Sequence, residues 1–321
     1  MQVFTISLFA VAVLLLTAVP GYILMKKRML SEDCIPGLSK ILVTVAQPCL
    51  VVYTFQSTEF SVQTLADIGV FALLCTVINV VMLGGAYLVF RRRCDEPLYR
   101  IMTIATTFGN CAFFGIPIIE ALFPAQASGL IIYTTVYALI MNILGWTVGS
   151  AIISRDVRYV SPRKIILNPA TIAAAVAFVL FVFEIPLTFT LPVVGSKFTL
   201  LSDVVTITGK MCTPLSMIIM GMRLATMDIA RMFTDPRVYL TLAVKQILMP
   251  LVALLIVLPL PLDPLMKRTF YVISATPVAS VVLNFSELIG EGQREAANMV
   301  LLGTMLSVVT LPVMSLLLGV I

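Results

Sequence analysis

Apolar residues fill long runs along this chain, and short polar segments separate one run from the next. Each run holds roughly 18 to 25 residues, enough for a helix to cross a hydrocarbon core of about 30 Å. The pattern predicts an all-α polytopic membrane protein. Its ten predicted spans are 3–25, 37–56, 66–90, 101–122, 128–153, 168–185, 199–222, 237–260, 268–289 and 296–320.

Composition supports this prediction and excludes several classes of function. Charged residues make up 12% of the chain, whereas soluble domains carry about 25%. Histidine is absent, which excludes Ser-His-Asp and Cys-His catalysis, HExxH zinc sites and histidine proton relays. The six cysteines show no CxxC spacing. We therefore expect no enzyme, no metal site and no cofactor.

Positive charge is distributed unevenly between the two sides of the predicted membrane. The first run is followed by Lys26, Lys27 and Arg28, which places the N-terminus outside. Alternation then puts fifteen lysines and arginines in or beside cytoplasmic loops, against three in outer loops. These clusters abut span ends, so they indicate topology and not a nucleic-acid site. Both termini are predicted to face outward.

The longest polar stretch divides the chain near its midpoint, with five spans on either side. The predicted domains are a first repeat at 1–153, a cytoplasmic connecting loop at 154–167 and a second repeat at 168–321. Because five is odd, a duplicated unit must lie inverted relative to its copy, as in many secondary transporters. Prolines at matched positions support this: Pro48 with Pro214, and Pro117 with Pro277.

Predicted span four contains the strongest candidate site, Gly109, Asn110, Gly115, Ile116 and Pro117. A proline removes a backbone donor and displaces a carbonyl, leaving polar groups that lipid cannot satisfy. The glycines allow another backbone to approach, and Asn110 offers both a donor and an acceptor. Pro117 is predicted to begin a second half-helix.

Predicted span nine holds a matching set of residues: Thr276, Pro277, Ser280 and Asn284. If the two breaks cross near the midplane, half-helix N-termini there attract anions and half-helix C-termini attract cations. Such a crossing binds an anionic solute or a coupling ion. The alternative is that both prolines merely kink packed helices.

At these residues the chain resembles the auxin efflux carrier family, which is distantly similar to the bile-acid sodium symporters. Asn110 to Pro117 is similar to the family's Asn-x4-Gly-Ile-Pro signature. Asn168-Pro169, Ala275-Thr276-Pro277 and the stretch from Thr304 to Pro312 also resemble the family. The resemblance implies two inverted five-helix repeats with broken, crossing helices four and nine, and an elevator-type transport movement.

Substrate class and location also follow from this resemblance. Plant members export indole-3-acetate, and bacterial members are associated with malate, malonate and other carboxylates. The short central loop, Ser154 to Asn168, favours the bacterial type. The resemblance therefore implies a carrier in the bacterial inner (plasma) membrane, with membrane lipid around it and a homodimer as its assembly.

Ionisable residues within spans are costly in lipid and are therefore functional candidates. Lys40 and Lys245 lie near cytoplasmic ends, so we expect both to snorkel to the interface. Lys210 is deeper, and packing and function both remain open for it. No acidic residue flanks Pro277, which makes sodium coupling doubtful. Asp67 is the candidate proton-titrating group, since plant members also place an aspartate early in the third helix.

A second set of polar residues lies on spans neighbouring the predicted breaks. Its members are Asn79, Asn142, Thr304 and Ser307. They either line a cavity or join packed helices through hydrogen bonds. The leading hypothesis is a secondary transporter, an efflux carrier of small organic anions working by alternating access. A channel or a non-transporting sensor of the same fold is the alternative.

Overall fold

A computed structural model describes residues 1–155, 166–190, 197–227 and 232–321, and most of these residues are helical. The first six helices are α1 (Gln2–Lys26), α2 (Cys34–Gln56), α3 (Val62–Arg93), α4 (Pro97–Ala105), α5 (Cys111–Leu122) and α6 (Ala127–Ser154). The next six are α7 (Pro169–Val182), α8 (Leu200–Thr226), α9 (Pro236–Val257), α10 (Pro264–Ser274), α11 (Val281–Ile289) and α12 (Gln293–Gly319). A two-residue antiparallel pair, β1 (Phe189–Thr190) with β2 (Lys197–Phe198), lies between α7 and α8. The predicted helical class is confirmed, except that this small pair was not predicted.

Seven helices in the described part of the chain are long and apolar enough to cross a membrane: α1, α2, α3, α6, α8, α9 and α12. They correspond to predicted spans one, two, three, five, seven, eight and ten. Helix α7, at the predicted sixth span, has 14 residues. Predicted spans four and nine are each divided into two shorter helices, α4 with α5 and α10 with α11.

An acidic or amide residue followed by proline begins four of the helices, at Glu96-Pro97, Asn168-Pro169, Asp235-Pro236 and Asp263-Pro264. Proline suits the first helical position because its fixed φ is already helical and its missing N–H would have no partner there. The side chains of Asn168, Asp235 and Asp263 accept backbone N–H bonds from the first turn. These caps fix where the helices start.

Three prolines lie inside long helices just after a π-helical turn. The turns Leu42–Ala46, Cys111–Gly115 and Val244–Leu248 end two residues before Pro48, Pro117 and Pro250. A proline cannot donate to the carbonyl one turn earlier and clashes with it. The wider π turn moves that carbonyl aside, so each helix continues past its proline. Helix α5 thus starts with the π turn at Cys111, and its regular α-helical part, Ile116–Leu122, has Pro117 in its first turn, as predicted for the start of a half-helix.

One group of helices packs together through unusually close backbones. Helix α1 packs on α8 and α12, and α2 packs on α7 and α8. A Cβ at Gly21 would lie 2.1 Å from the Ile218 carbonyl oxygen, and one at Gly221 would lie 1.9 Å from the Ala18 carbonyl oxygen. Small residues permit such contact between membrane helices. The two glycines thus hold α1 directly against α8.

The remaining helices surround the two divided spans. Helix α3 packs on α6, α6 on α10, and α9 on α10. Phe71 and Phe270 are fully buried and meet edge to face. Large apolar side chains such as Leu16, Leu73, Ile207 and Leu255 are exposed on the outer faces, as expected of surfaces that contact lipid. The core therefore lies around the two breaks.

The predicted connecting loop at 154–167 falls mostly outside the described residues, because residues 156–165 are not described. The division into two five-helix repeats consequently stays a prediction.

Candidate functional site

The first helix break lies at residues 106–110, between α4 and α5. The last turn of α4 continues as far as Phe108, whose N–H donates to the Ile104 carbonyl at 2.9 Å. The helical hydrogen bonds then stop. Helix α5 starts immediately after Asn110, and the Asn110 carbonyl accepts the N–H of Gly115 at 3.1 Å. The Gly-Asn pair, and not Pro117, therefore breaks this span.

The second break lies at residues 275–280, between α10 and α11. Here proline is part of the break itself, because Pro277 cannot donate a backbone bond. The Thr276 hydroxyl donates to the Ile273 carbonyl at 2.7 Å and caps the end of α10. The Asn284 N–H donates to the Ser280 carbonyl at 3.1 Å, and the helical hydrogen bonds of α11 begin there.

The two breaks are hydrogen-bonded to each other. Asn110 N–H donates to the Pro277 carbonyl at 2.8 Å, and Ala279 N–H donates to the Phe108 carbonyl at 2.9 Å. Gly109 and Val278 face each other as a single antiparallel bridge. Non-helical backbone within a membrane must find partners inside the protein. Each break supplies those partners for the other, so the two divided spans cross at this point.

Lys245 of α9 is buried completely at this crossing, with 0% relative exposure. Its Nζ donates to the Ser274 carbonyl, the last of α10, at 2.8 Å. A helix C-terminus carries partial negative charge and stabilises a cation there. The prediction that Lys245 snorkels to the interface is wrong, because its side chain points inward to this helix end. Within the described residues, no carboxylate forms an ion pair with it.

Gly109 is required where the crossing meets Lys245. A Cβ at Gly109 would lie 2.6 Å from Thr276 Oγ1, 2.9 Å from Lys245 Nζ and 3.0 Å from Lys245 Cε. Gly115, in the same signature, has no such conflict, since its nearest neighbour would be 3.6 Å away. The two glycines thus differ: only Gly109 makes room for the cation.

A cavity of about 140 Å³ opens beside the crossing. Its polar lining includes Asn110, Ser280, Asn284, Asn142 and Gln47. The rest of the wall comes from α2, α6, α8, α12 and the Asn168 cap of α7: Ser39, Leu42, Val43, Ala138, Met141, Trp146, Ser216, Ile219, Met220, Val300 and Leu301. The cavity thus separates α2 and α8 from the crossing.

The first turns of α5 and α11 both border this cavity. Residues 111–113 of α5 and residues 281, 283 and 284 of α11 supply lining atoms, and the N–H groups at a helix N-terminus favour negative charge. Arg223 of α8 is the one charged residue lining the cavity within the described residues. Its Nη1 lies 2.8 Å from Glu287 Oε1 of α11. The electrostatic environment therefore suits an anion.

Some of the predicted site residues line the cavity, and the others lie in the surrounding helices and breaks. Gly109, Asn110, Ser280 and Asn284 line the cavity, as does Asn142 from the second set. Thr276 and Pro277 shape the second break, whereas Gly115, Ile116 and Pro117 lie within α5, after the first break. None of these five residues lines the cavity.

The other members of the second set are buried and hydrogen-bonded within their own helices. Asn79 Nδ2 donates to the Cys75 carbonyl at 2.7 Å, Thr304 Oγ1 to the Val300 carbonyl at 2.8 Å, and Ser307 Oγ to the Thr304 carbonyl at 2.6 Å. Such local bonds suit packed membrane helices. These three residues do not line the cavity.

The two candidate coupling residues also lie away from the cavity lining. Asp67 accepts a 2.9 Å hydrogen bond from Gln63, one turn earlier in α3. Lys210 is exposed, and its Nζ lies 5.4 Å from the centre of the Tyr53 ring. Lys40 is exposed as well, as expected for a snorkelling side chain.

Sequence reasoning missed Arg223, which was counted only as a topology signal. A helical spacing could have identified it. Ser216, Met220 and Arg223 recur at intervals of four and three along α8, which places them on one helix face. All three line the cavity.

Comparison with known proteins identifies the family of this chain. A family model described as membrane transport protein matches residues 6–160 and 153–315. No curated protein gives a significant match. The match extends over most of the chain and includes both breaks. The chain is an integral membrane protein that belongs to the membrane transport protein family, the family of the auxin efflux carriers.

Proposed function

We propose that this protein is a secondary transporter of small organic anions and that the crossing of the two breaks carries its substrate site. One observation carries the proposal: the two breaks are hydrogen-bonded to each other beside a polar cavity. Breaks of this kind persist in membranes only where they are buried in protein or line a cavity. The break residues Asn110 and Ser280 both border that cavity.

Anion selectivity follows from how the four half-helix ends are arranged. The N-termini of α5 and α11 border the cavity, and their partial positive charge attracts a carboxylate. The C-terminus of α10 is already occupied by Lys245. The cavity therefore presents donors and positive potential, and the negative helix end is directed away from the solute.

Lys245 also bears on ion coupling. A helix C-terminus inside a crossing is a position that a coupling cation can use, and here a lysine of the chain supplies that charge. We therefore favour proton coupling or uniport over sodium coupling. Asp67, at the start of α3, remains the candidate proton-titrating group, with Lys210 a candidate support residue.

The cavity volume favours small carboxylates over indole acids. A dry cavity of about 150 Å³ accommodates a benzene-sized molecule, and this cavity measures about 140 Å³. Malonate and malate are of that size. Indole-3-acetate is larger, so its binding requires the walls to move apart.

The arrangement of helices supports an elevator-type movement. We propose ten crossings, the seven long helices together with α7 and the two divided spans, arranged as inverted repeats at 1–153 and 168–321. Helices α1, α2, α7 and α8 form the scaffold, and the crossing moves against them with α3, α6, α9 and α12. The cavity lies between α2 and α8 on one side and the crossing on the other, where such a movement would carry a solute.

The predicted orientation shows which side the cavity faces. With the N-terminus outside, Ser39, Asn168 and Arg223 lie toward the cytoplasm, so the cavity opens inward. Efflux as the direction of transport is proposed from the family of the auxin efflux carriers. We place the protein in a bacterial inner membrane, as a homodimer joined through the scaffold.

Counterflow in proteoliposomes tests the proposal. Liposomes preloaded with malonate, malate or indole-3-acetate receive the same labelled solute outside, with wild-type protein or the Asn110→Ala, Pro117→Ala double variant. We expect saturable counterflow with the wild type and a loss of at least about tenfold with the variant, as removal of a charge-assisted hydrogen bond implies. The control is Pro20→Ala, which alters a helix proline of α1 far from the crossing.

The outcomes separate the transporter from the alternatives. A channel gives flux without counterflow, and a non-transporting sensor gives neither. Counterflow that is indifferent to the double variant would contradict the site, and absence of flux for all three solutes would contradict the substrate class.

A further inference from the structure

Arg223, which lines the cavity, forms an ion pair with Glu287. Arg223 belongs to α8 and Glu287 to α11, so the pair joins the two walls that an elevator movement must separate. Their side chains are 22% and 44% exposed, respectively. Neither charge is deeply buried, so opening the pair costs little desolvation energy. The ion pair between Arg223 and Glu287 can therefore open and re-form at a low cost in free energy.

Only part of the Arg223 guanidinium is used by Glu287. Nη1 donates to Glu287 Oε1 at 2.8 Å, and this is the side-chain hydrogen bond that Arg223 makes within the described residues. A guanidinium has five N–H donors in a planar fork that matches a carboxylate. Donors therefore remain for a second carboxylate, at the residue that provides the cavity's positive charge.

We propose that Arg223 recognises the carboxylate of the transported solute and that Glu287 is a resident carboxylate, which the solute displaces from it. This inference rests on the proposed function. Before the solute binds, Glu287 satisfies Arg223 and holds α11 to α8. An arriving carboxylate takes its place on the guanidinium, and the link between the two walls opens.

Solute binding therefore changes how α8 and α11 are held together. While Glu287 is bound, the crossing is held to the scaffold by a charge-assisted hydrogen bond. Once the solute occupies Arg223, that direct restraint between α8 and α11 is removed. A neutral analogue cannot compete with Glu287, so the exchange discriminates against uncharged solutes.

Three substitutions distinguish solute binding by Arg223 from competition by Glu287. Arg223→Gln removes the charge that binds the solute, so the KM for malonate counterflow should rise by about tenfold or more. Arg223→Lys keeps a charge but loses the fork, and an intermediate rise is expected. Glu287→Gln removes the competitor while keeping the shape, so KM should fall. A purely structural role for the pair predicts a loss from both Arg223→Gln and Glu287→Gln.

The matched control is Glu291→Gln. Glu291 forms an ion pair with Arg100, its side chain is 49% exposed, and neither residue lines the cavity. The same chemical change outside the cavity should leave KM unchanged. The double variant Arg223→Gln, Glu287→Gln leaves no unpaired charge and therefore tests whether any loss in Arg223→Gln comes from misfolding. Its KM should remain high.

The experiment is malonate counterflow, with malonamide as a neutral competitor. A raised KM for Arg223→Gln, a lowered KM for Glu287→Gln and no competition by malonamide would support the exchange. An unchanged KM in Arg223→Gln, or a raised KM in Glu287→Gln, would overturn it. If the wild type carries no carboxylate at all, the proposed function itself fails. If the wild type carries malonate and the variants do not differ from it, this inference alone fails.

Discussion

Replacing Gly109 by alanine tests whether the crossing depends on a close fit around Lys245. The new Cβ would lie 2.6 Å from Thr276 Oγ1 and 2.9 Å from Lys245 Nζ, both closer than a methyl group allows. Since both atoms end side chains, the backbone need not move, and the two side chains give way instead. Each then loses the hydrogen bond that holds it at the end of α10.

The cost follows from those two bonds. Loss of a bond made by a charged group costs about 1.5–3 kcal/mol, and loss of a neutral one about 1 kcal/mol. Gly109→Ala should therefore destabilise the protein by about 2–4 kcal/mol. Gly115→Ala is the matched control, because its Cβ would meet its nearest neighbour at an ordinary 3.6 Å.

Thermal unfolding of the purified variants in one detergent measures this difference. Gly109→Ala should unfold at a clearly lower temperature than wild type, and Gly115→Ala close to it. In a Lys245→Met background the alanine should cost less, since the colliding amine is gone, so the double variant should lose less stability than the two single variants summed. Equal effects of the two glycine substitutions, or no coupling with Lys245→Met, would refute the reasoning.

Two further predictions concern packing and pH. Gly221→Ala should destabilise the protein by about 1–3 kcal/mol, because its Cβ would lie 1.9 Å from the Ala18 carbonyl oxygen. Gly84 has open space around it, so Gly84→Ala should leave the stability unchanged. Equal melting temperatures of the two variants would contradict this prediction. Hydrogen bonds from Arg237 hold the pKa of Asp235 below its usual range. Its carboxylate therefore stabilises the fold above the unfolded pKa of about 3.9 and ceases to do so as pH falls through the lower folded pKa. The melting temperature of the wild type should exceed that of Asp235→Asn at pH 7, and the difference should disappear in strong acid. A difference that does not change with pH would contradict a stabilising role of the ionised Asp235 carboxylate.

Hydrophobic run length predicted the seven long apolar helices because lipid imposes one length on every span. The breaks were predictable too, since Gly109-Asn110 and the segment around Pro277 combine backbone freedom with missing donors. The π turn before Pro117 was not predicted, because proline alone does not reveal whether such a turn will accommodate it. The turn at Cys111–Gly115 does so, and the helix continues.

The positions of the Lys245 and Arg223 side chains were harder to predict. The sequence shows how far along a helix a residue lies, but not in which direction its side chain points. Lys245 lies nine residues after Pro236, about 14 Å along the helix axis, which permits either snorkelling or burial. The hydrogen bond from Lys245 to the carbonyl of Ser274, 29 residues away, holds the side chain in the buried position. Arg223 was read as a loop charge because it lies near the end of α8, although its helix face is that of Ser216 and Met220.

Protection of the crossing by its solute tests the central claim most directly. In a cysteine-depleted protein, Ser280→Cys places a thiol on the cavity wall, and Ser31→Cys places one in an exposed loop as the control. A membrane-permeant maleimide should label both, and malonate should slow labelling at Ser280→Cys in a saturable way while leaving Ser31→Cys unaffected. Labelling at Ser280→Cys that no malonate, malate or indole-3-acetate concentration slows would contradict a solute site at the crossing.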